Sequence, residues 1–198
     1  MEQSFLARHP RLKDIVSFVT FILLVGVGTL LINNFVFRSF NVEGPSMEET
    51  FYTGDRLIVN RIPVTISQAQ NKPYVPDRGQ IIVFKNPRYI DGQPDAYLVK
   101  RVIAFPGERV VVKDGVLTVY NMEHPAGFQP DDYLDGPGSP TSGETDTIVP
   151  EQTLFVSGDH REGNFSYDSR NGLGTVPFYD VIGPVSIRIF PFNKIHTY

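Results

Sequence analysis

The 198-residue chain has no cysteine, which removes disulfides, thiolate nucleophiles and cysteine-based metal sites together. It is also poor in histidine. His9, His124, His160 and His196 are scattered without metal-ligand spacing, so neither a metal nor another cofactor is expected. An excess of basic residues is missing as well: a net charge of −4 and a pI near 5.5 argue against a nucleic-acid-binding surface, which shows as a basic footprint. Helical periodicity is almost absent after residue 37, and there are no internal repeats. What is present is a hydrophobic share of 41%, ordinary for a folded protein and enough for one sizeable domain with a smaller insertion.

The longest feature is apolar. Ile15 to Phe37 is a run of 23 residues without a charge. As a helix it is roughly 35 Å long, enough to cross a bilayer core. Gly26, Gly28 and several valines weaken a helix in water but are accepted in lipid. A cleaved secretory signal would want a shorter apolar core and an A-x-A-like site, yet no alanine occurs between Arg8 and Gln68. The run is therefore read as an uncleaved membrane anchor. Arg8, Arg11 and Lys13 precede it and Arg38 follows, so the positive-inside bias predicts a cytoplasmic tail (1–14), a transmembrane helix (15–37) and an extracytoplasmic domain (38–198). The expected location is the plasma membrane, with the lipid bilayer as one partner.

Beyond the anchor, short β-type runs alternate with Gly and Pro punctuation. Strands are expected at Phe40–Glu43, within Gly54–Arg61, and at Gln80–Phe84, Tyr97–Phe105, Thr153–Ser157 and Val181–Phe190. A hairpin is expected around Asp114-Gly115. Residues 62–79, broken by Pro63, Pro73 and Pro76, read as a loop, and residues 121–146 as a loop-rich insertion. The fold class that results is mainly β: one N-terminal membrane helix followed by a β domain.

Two side chains stand out chemically. Ser46 follows Gly44-Pro45 at the end of a β-type run, where the chain is expected to turn sharply and present the hydroxyl. Only nine residues separate it from Phe37, a reach of about 30 Å when fully extended, so any chemistry there lies close to the membrane surface. By itself the stretch is also compatible with a plain serine in a turn. Lys100 and Arg101 are adjacent in an otherwise apolar strand, where period-two alternation puts them on opposite faces. Arginine stays charged under burial, whereas a buried lysine loses its proton more easily and becomes a competent base. The alternative is a lysine whose stem packs on the sheet while its head reaches solvent.

Four ordered blocks carry a resemblance. They are Gly44-Pro45-Ser46-Met47 with Thr50; Gly54-Asp55-Arg56-Leu57-Ile58-Val59-Asn60; Arg78 to Lys85 leading to Leu98-Val99-Lys100-Arg101-Val102-Ile103 and Pro106-Gly107-Glu108; and Gly158-Asp159-His160-Arg161 with Ser166-Tyr167-Asp168-Ser169-Arg170. In these blocks, placed after one anchor, the chain resembles bacterial type I signal peptidases, membrane-bound serine proteases that remove signal peptides from exported proteins. The resemblance implies a coiled-sheet, partial-barrel catalytic domain and a Ser/Lys dyad with Ser46 as nucleophile and Lys100 as general base. It further implies that Ser166 holds the lysine amine, and that Asp159, Asp168 and Arg170 give ionic support. The partners it implies are the signal peptides of preproteins, with small residues at the first and third positions before the cut. Phe40, Val42 and Phe84 are the candidates for lining the substrate pockets.

The departures from that family pattern are Glu49, where the family has proline, His160, where it has asparagine, and a longer Arg161–Ser166 segment. Gly44 has no hydroxyl, so oxyanion donors are expected from the backbone, led by the Ser46 N–H. Two rival readings remain open at this point. One is a Ser-His-Asp hydrolase using His160, and the other is a non-catalytic, membrane-anchored β module that binds exported or envelope proteins.

Overall fold

A computed structural model describes residues 10–92, 95–132 and 140–198. Helix α1 (Pro10–Leu31) passes into one π-helical turn (Ile32–Val36), and strand β1 (Phe37–Asn41) follows without a linker. The span long and apolar enough to cross a membrane runs Arg11–Val36, with none of its most apolar window buried against protein. Phe37, expected in the helix, is instead the first residue of β1 and pairs with Asn60. The helix also begins before Ile15; Arg8 and the rest of residues 1–9 lie outside the described residues.

The remaining strands are β2 (Arg56–Asn60), β3 (Ile81–Lys85), β4 (Tyr97–Ala104), β5 (Arg109–Lys113), β6 (Val116–Tyr120), β7 (Thr145–Ile148), β8 (Thr153–Ser157), β9 (Val176–Pro177), β10 (Val181–Phe190) and β11 (His196–Thr197). The larger sheet runs β1-β2-β10-β3-β4-β8-β9, with β11 added to β10. Strand β10 serves two ladders: its first half pairs with β3 and its second half with β2, with register shifts in both. Such irregularities bend a strand and deepen its twist, so the sheet curls into a partial barrel. A smaller sheet, β6-β5-β7, packs beside it around Ile103, Val110 and Phe155. Asp114 and Gly115 both have positive φ in the β5–β6 turn, the geometry that an Asp-Gly hairpin favours.

Two expectations are corrected. Residues 62–79 are not all loop, since Ile62–Ala69 forms helix α2. Pro63 falls in its first turn, where proline removes no helix hydrogen bond, so it starts the helix rather than breaking one. The 121–146 stretch is likewise only partly irregular. Phe128 bridges to Val119, Pro130–Asp132 forms a 3-10 turn, and β7 takes residues from Thr145 into the small sheet. Residues 133–139 of that stretch lie outside the described residues.

Candidate active site

Ser46 is presented by a turn that the core holds from both sides. Gly44 has φ +82°, a left-handed conformation that glycine adopts without strain, and Pro45 follows. Met47 and Phe51 are fully buried in the cluster of Val42, Leu57, Val59 and Ile81, and the Phe51 N–H donates to the Met47 carbonyl at 2.7 Å. The segment before the turn is tied to the residues that lead into β2 by the Val42 N–H on the Asp55 carbonyl (2.8 Å) and the Gly54 N–H on the Val42 carbonyl (3.0 Å).

Lys100 reaches this turn from the middle of β4. It is 2% exposed, and its Nζ lies 2.7 Å from Ser46 Oγ and 2.8 Å from the Val99 carbonyl oxygen. Burial lowers its pKa from the ordinary lysine value to about 8, against the opposing pull of Asp168, Asp159 and Asp95. Arg101, next in the strand and equally hidden, meets the opposite arrangement. Its Nε and Nη2 donate to the two carboxylate oxygens of Asp159 at 2.7 and 2.6 Å, and Thr50, in the turn that carries Ser46, donates to the same carboxylate.

The strap 157–161 closes the site from behind. The His160 N–H donates to the Ser46 carbonyl at 3.1 Å, and its ring Nδ1 lies 3.2 Å from the Pro45 carbonyl oxygen. A β-carbon on Gly158 would overlap both the Ser46 carbonyl oxygen and Ser166, so only glycine fits between them. Asp168 accepts from the Gly158 N–H at 2.9 Å, from Ser166 Oγ at 2.7 Å and from Arg170 Nη2 at 2.7 Å. Burial by itself would raise the Asp168 carboxyl, but Arg170, Gly158 and Ser166 together hold it below the usual carboxylate range.

The expected site residues thus separate into three sets. Ser46 and Lys100 are in contact. Asp159, Asp168 and the side chain of Arg170 are buried around them, and Gly44 opens the turn. Ser166 lies beside the strap, but its hydroxyl donates to Asp168, and the amine's hydrogen-bond partners are Ser46 and the Val99 carbonyl. Phe40 and Val42 line a groove of about 220 Å³ with Ser46, Tyr97, Leu98 and Lys100, whereas Phe84 is fully buried in a second core cluster with Ile82 and Val102 and is not part of that lining. The imidazole of His160 is engaged by Pro45 and stacks on Phe165, while the atom at Ser46 Oγ is the lysine nitrogen.

Sequence reading missed one wall of this groove, Asp95 to Val99, and a buried tie between the strap and the insertion. In that tie Arg161 donates twice to Asp131 (2.5 and 2.7 Å) and once to the Gly158 carbonyl (2.8 Å). A larger hollow of about 480 Å³ lies between residues 41–43 and Phe190 and Phe192. Neither Ser46 nor Lys100 lines it; both line the smaller groove.

A curled β-sheet domain behind a membrane-spanning helix, with a serine and a buried lysine in contact, defines a class of membrane-bound hydrolase. Residues 12–190 match the family described as signal peptidase, peptidase S26, and the chain belongs to that family. A signal peptidase I of Bacillus licheniformis is 32% identical over 187 residues, covering 92% of each chain. Signal peptidase I S of Bacillus subtilis is 31% identical over 187 residues, covering 92% of this chain and 93% of its own. A signal peptidase I from Enterococcus faecalis V583 of known crystal structure aligns at 25% identity with a TM-score of 0.42, over 57% of this chain and 97% of that one. With one membrane-spanning helix among its described residues, this member of the family is a single-pass membrane protein.

Proposed function

We propose that the chain is a serine endopeptidase that removes signal peptides from exported preproteins, with Ser46 as nucleophile and Lys100 as its base. The observation that carries this reading is the 2.7 Å approach of a fully buried lysine amine to Ser46 Oγ. An amine with its pKa near 8 is neutral in an appreciable fraction of molecules at neutral pH, and only that form accepts a proton. Lys100 takes the Ser46 hydroxyl proton as Oγ attacks the scissile carbonyl, and it returns a proton to the leaving amine. It then activates the water that hydrolyses the acyl-enzyme. The Ser46 N–H, which has no acceptor among the described residues, is the donor assigned to the oxyanion.

The substrate lies extended in the groove. Among the described residues strand β1 is bonded to β2 on one edge only, and β8 joins β4 only from Arg101 onward, so the 40–43 and 95–99 segments offer main-chain groups from both walls. Side chains one and three positions before the cut point the same way in an extended peptide, towards Phe40, Val42 and Leu98. The N-terminal tail is cytoplasmic and the β domain lies outside the plasma membrane, as the flanking Arg11 and Lys13 favour.

The test is cleavage of a model preprotein in detergent by the wild type, Ser46→Ala and Lys100→Met. Both variants are expected to lose on the order of 10⁴-fold in rate. Unimpaired variants would refute the dyad, and a folded but inactive wild type would favour the binding module.

A further inference from the structure

Arg38 stands at one end of the groove with its charge unanswered. In β1 it alternates with the exposed Phe37 and Ser39 and shares the inward face with Phe40. Across the ladder these two inward residues pair with the buried Val59 and Leu57. The Arg38 guanidinium lies 4.6 and 5.0 Å from the ring centroids of Tyr97 and Phe40, and those rings meet each other at 5.3 Å. Both rings line the groove with Val42, Ser46 and Lys100, so Arg38 caps the end of that lining away from Ser46.

Among the described residues no carboxylate pairs with Arg38, and Asp95, which lines the facing wall, forms no ion pair with it. A second cation presses on the same point. Arg61 is fastened to the end of the π-helical turn by its N–H on the Val36 carbonyl (2.8 Å), and its Nε is buried with no hydrogen-bond partner. Burial first, and then the Arg38 charge, lower the pKa of Arg61. Arginine does not escape such repulsion by losing its proton, so the two together hold this end of the groove positive.

The direction of the substrate follows from the anchor. A signal peptide carries its apolar run ahead of the cut. With that run in the bilayer that α1 crosses, the chain reaches Ser46 from the Phe37 end of β1. Side chains one and three positions before the cut then pass Val42 and Phe40. The next side chain on the same face of an extended chain, five positions before the cut, comes level with Arg38.

We propose that Arg38, backed by Arg61, sets a charge preference at the fifth residue before the cut, accepting an acidic side chain there and rejecting lysine and arginine. An aspartate at that position accepts from the guanidinium, whereas a lysine stays unpaired beside two like charges. The inference rests on the endopeptidase reading and on α1 crossing the bilayer.

Three model preproteins that differ only in carrying Asp, Asn or Lys at the fifth residue before the cut test it, with full-length protein in a neutral detergent. The wild type is expected to favour Asp over Lys by about tenfold in kcat/KM, with Asn between them and the difference carried by KM. The preference is expected to shrink at about 1 M salt. Arg38→Gln is expected to flatten the ranking, Arg38→Glu to reverse it, and Arg61→Gln to weaken it without reversal. Each variant is read as a ratio to its own rate on the Asn preprotein, which cancels any general loss of activity.

Equal wild-type rates on the three preproteins, or a ranking that Arg38→Glu leaves in place, would overturn the inference and spare the endopeptidase reading. A preference for Lys that Asp95→Asn removes would give the position to Asp95 instead. No cleavage by the wild type, or cleavage that Ser46→Ala leaves intact, would remove the endopeptidase reading itself.

Discussion

Lys100 and Arg101 share a strand and a depth of burial, yet they differ in what faces them. Arg101 meets the two oxygens of Asp159, while the lysine amine meets a hydroxyl and a carbonyl. A cation without a facing anion is the one that gives up its proton. The expected kcat/KM therefore rises about tenfold per pH unit below about 8 and levels above it, and a profile flat from about pH 5 to 10 would contradict a lysine base. The same shift is a stability statement. With the folded pKa near 8 and the unfolded value near 10.4, the unfolded chain binds more protons between those values, so the cost of burying Lys100 is full below about pH 8 and vanishes above about 10.4. Lys100→Met is expected to raise unfolding free energy by up to about 3 kcal/mol at neutral pH, with the gain fading as pH rises through that window; denaturant titrations at several pH values measure it. His160 belongs at this scale too. Its Nδ1 holds the Pro45 carbonyl, a place that the amide of asparagine also reaches. His160→Asn is expected to keep near wild-type kcat, and His160→Ala to lose roughly tenfold, the loss of one hydrogen bond. A loss like that of Ser46→Ala would instead revive the histidine triad.

At the scale of elements, the strands were legible and the helix after β2 was not. Alternation and Gly/Pro punctuation mark β2, β3, β4, β8 and β10 to within a residue or two at most ends, because each is rich in apolar residues and most are bounded by turn residues. Residues 62–69 were hidden because a proline in a first helical turn looks like a breaker until the residues before it are placed. The Asp131–Arg161 tie was hidden for another reason: partners 30 residues apart, one of them in a polar stretch, leave no local pattern. That tie carries weight, because Arg161 has almost no solvent access and also holds the Gly158 carbonyl. Asp131→Ala is expected to cost about 3–5 kcal/mol by leaving a buried cation unpaired, read as a lower denaturant midpoint. Loss of kcat with little change in KM would accompany it, as the strap slackens behind Ser46.

For the whole molecule, the span and the β character after it could be read from the sequence, and so could the pairing of Ser46 with Lys100 once the ordered blocks were seen together. The groove could not, because its walls are strands brought together only by the curl of the sheet. The sidedness of the chain is open to a direct check. A membrane-impermeant maleimide added to intact cells is expected to label Met122→Cys but not Lys13→Cys, and the reverse pattern would invert the proposed topology.

The join at Val36 and Phe37 reaches furthest. Helix gives way to strand with no slack between them, and the end of the helix is bonded to Arg61 and Thr65 besides. A lever mounted in this way passes any tilt of its membrane arm directly to the groove. A helix tilts when its apolar length exceeds the thickness of the bilayer around it. With Ser46 as the proposed nucleophile, the lipid acts as the gauge against which the groove is set, and a thinner membrane would offer Ser46 a different stretch of the same passing chain.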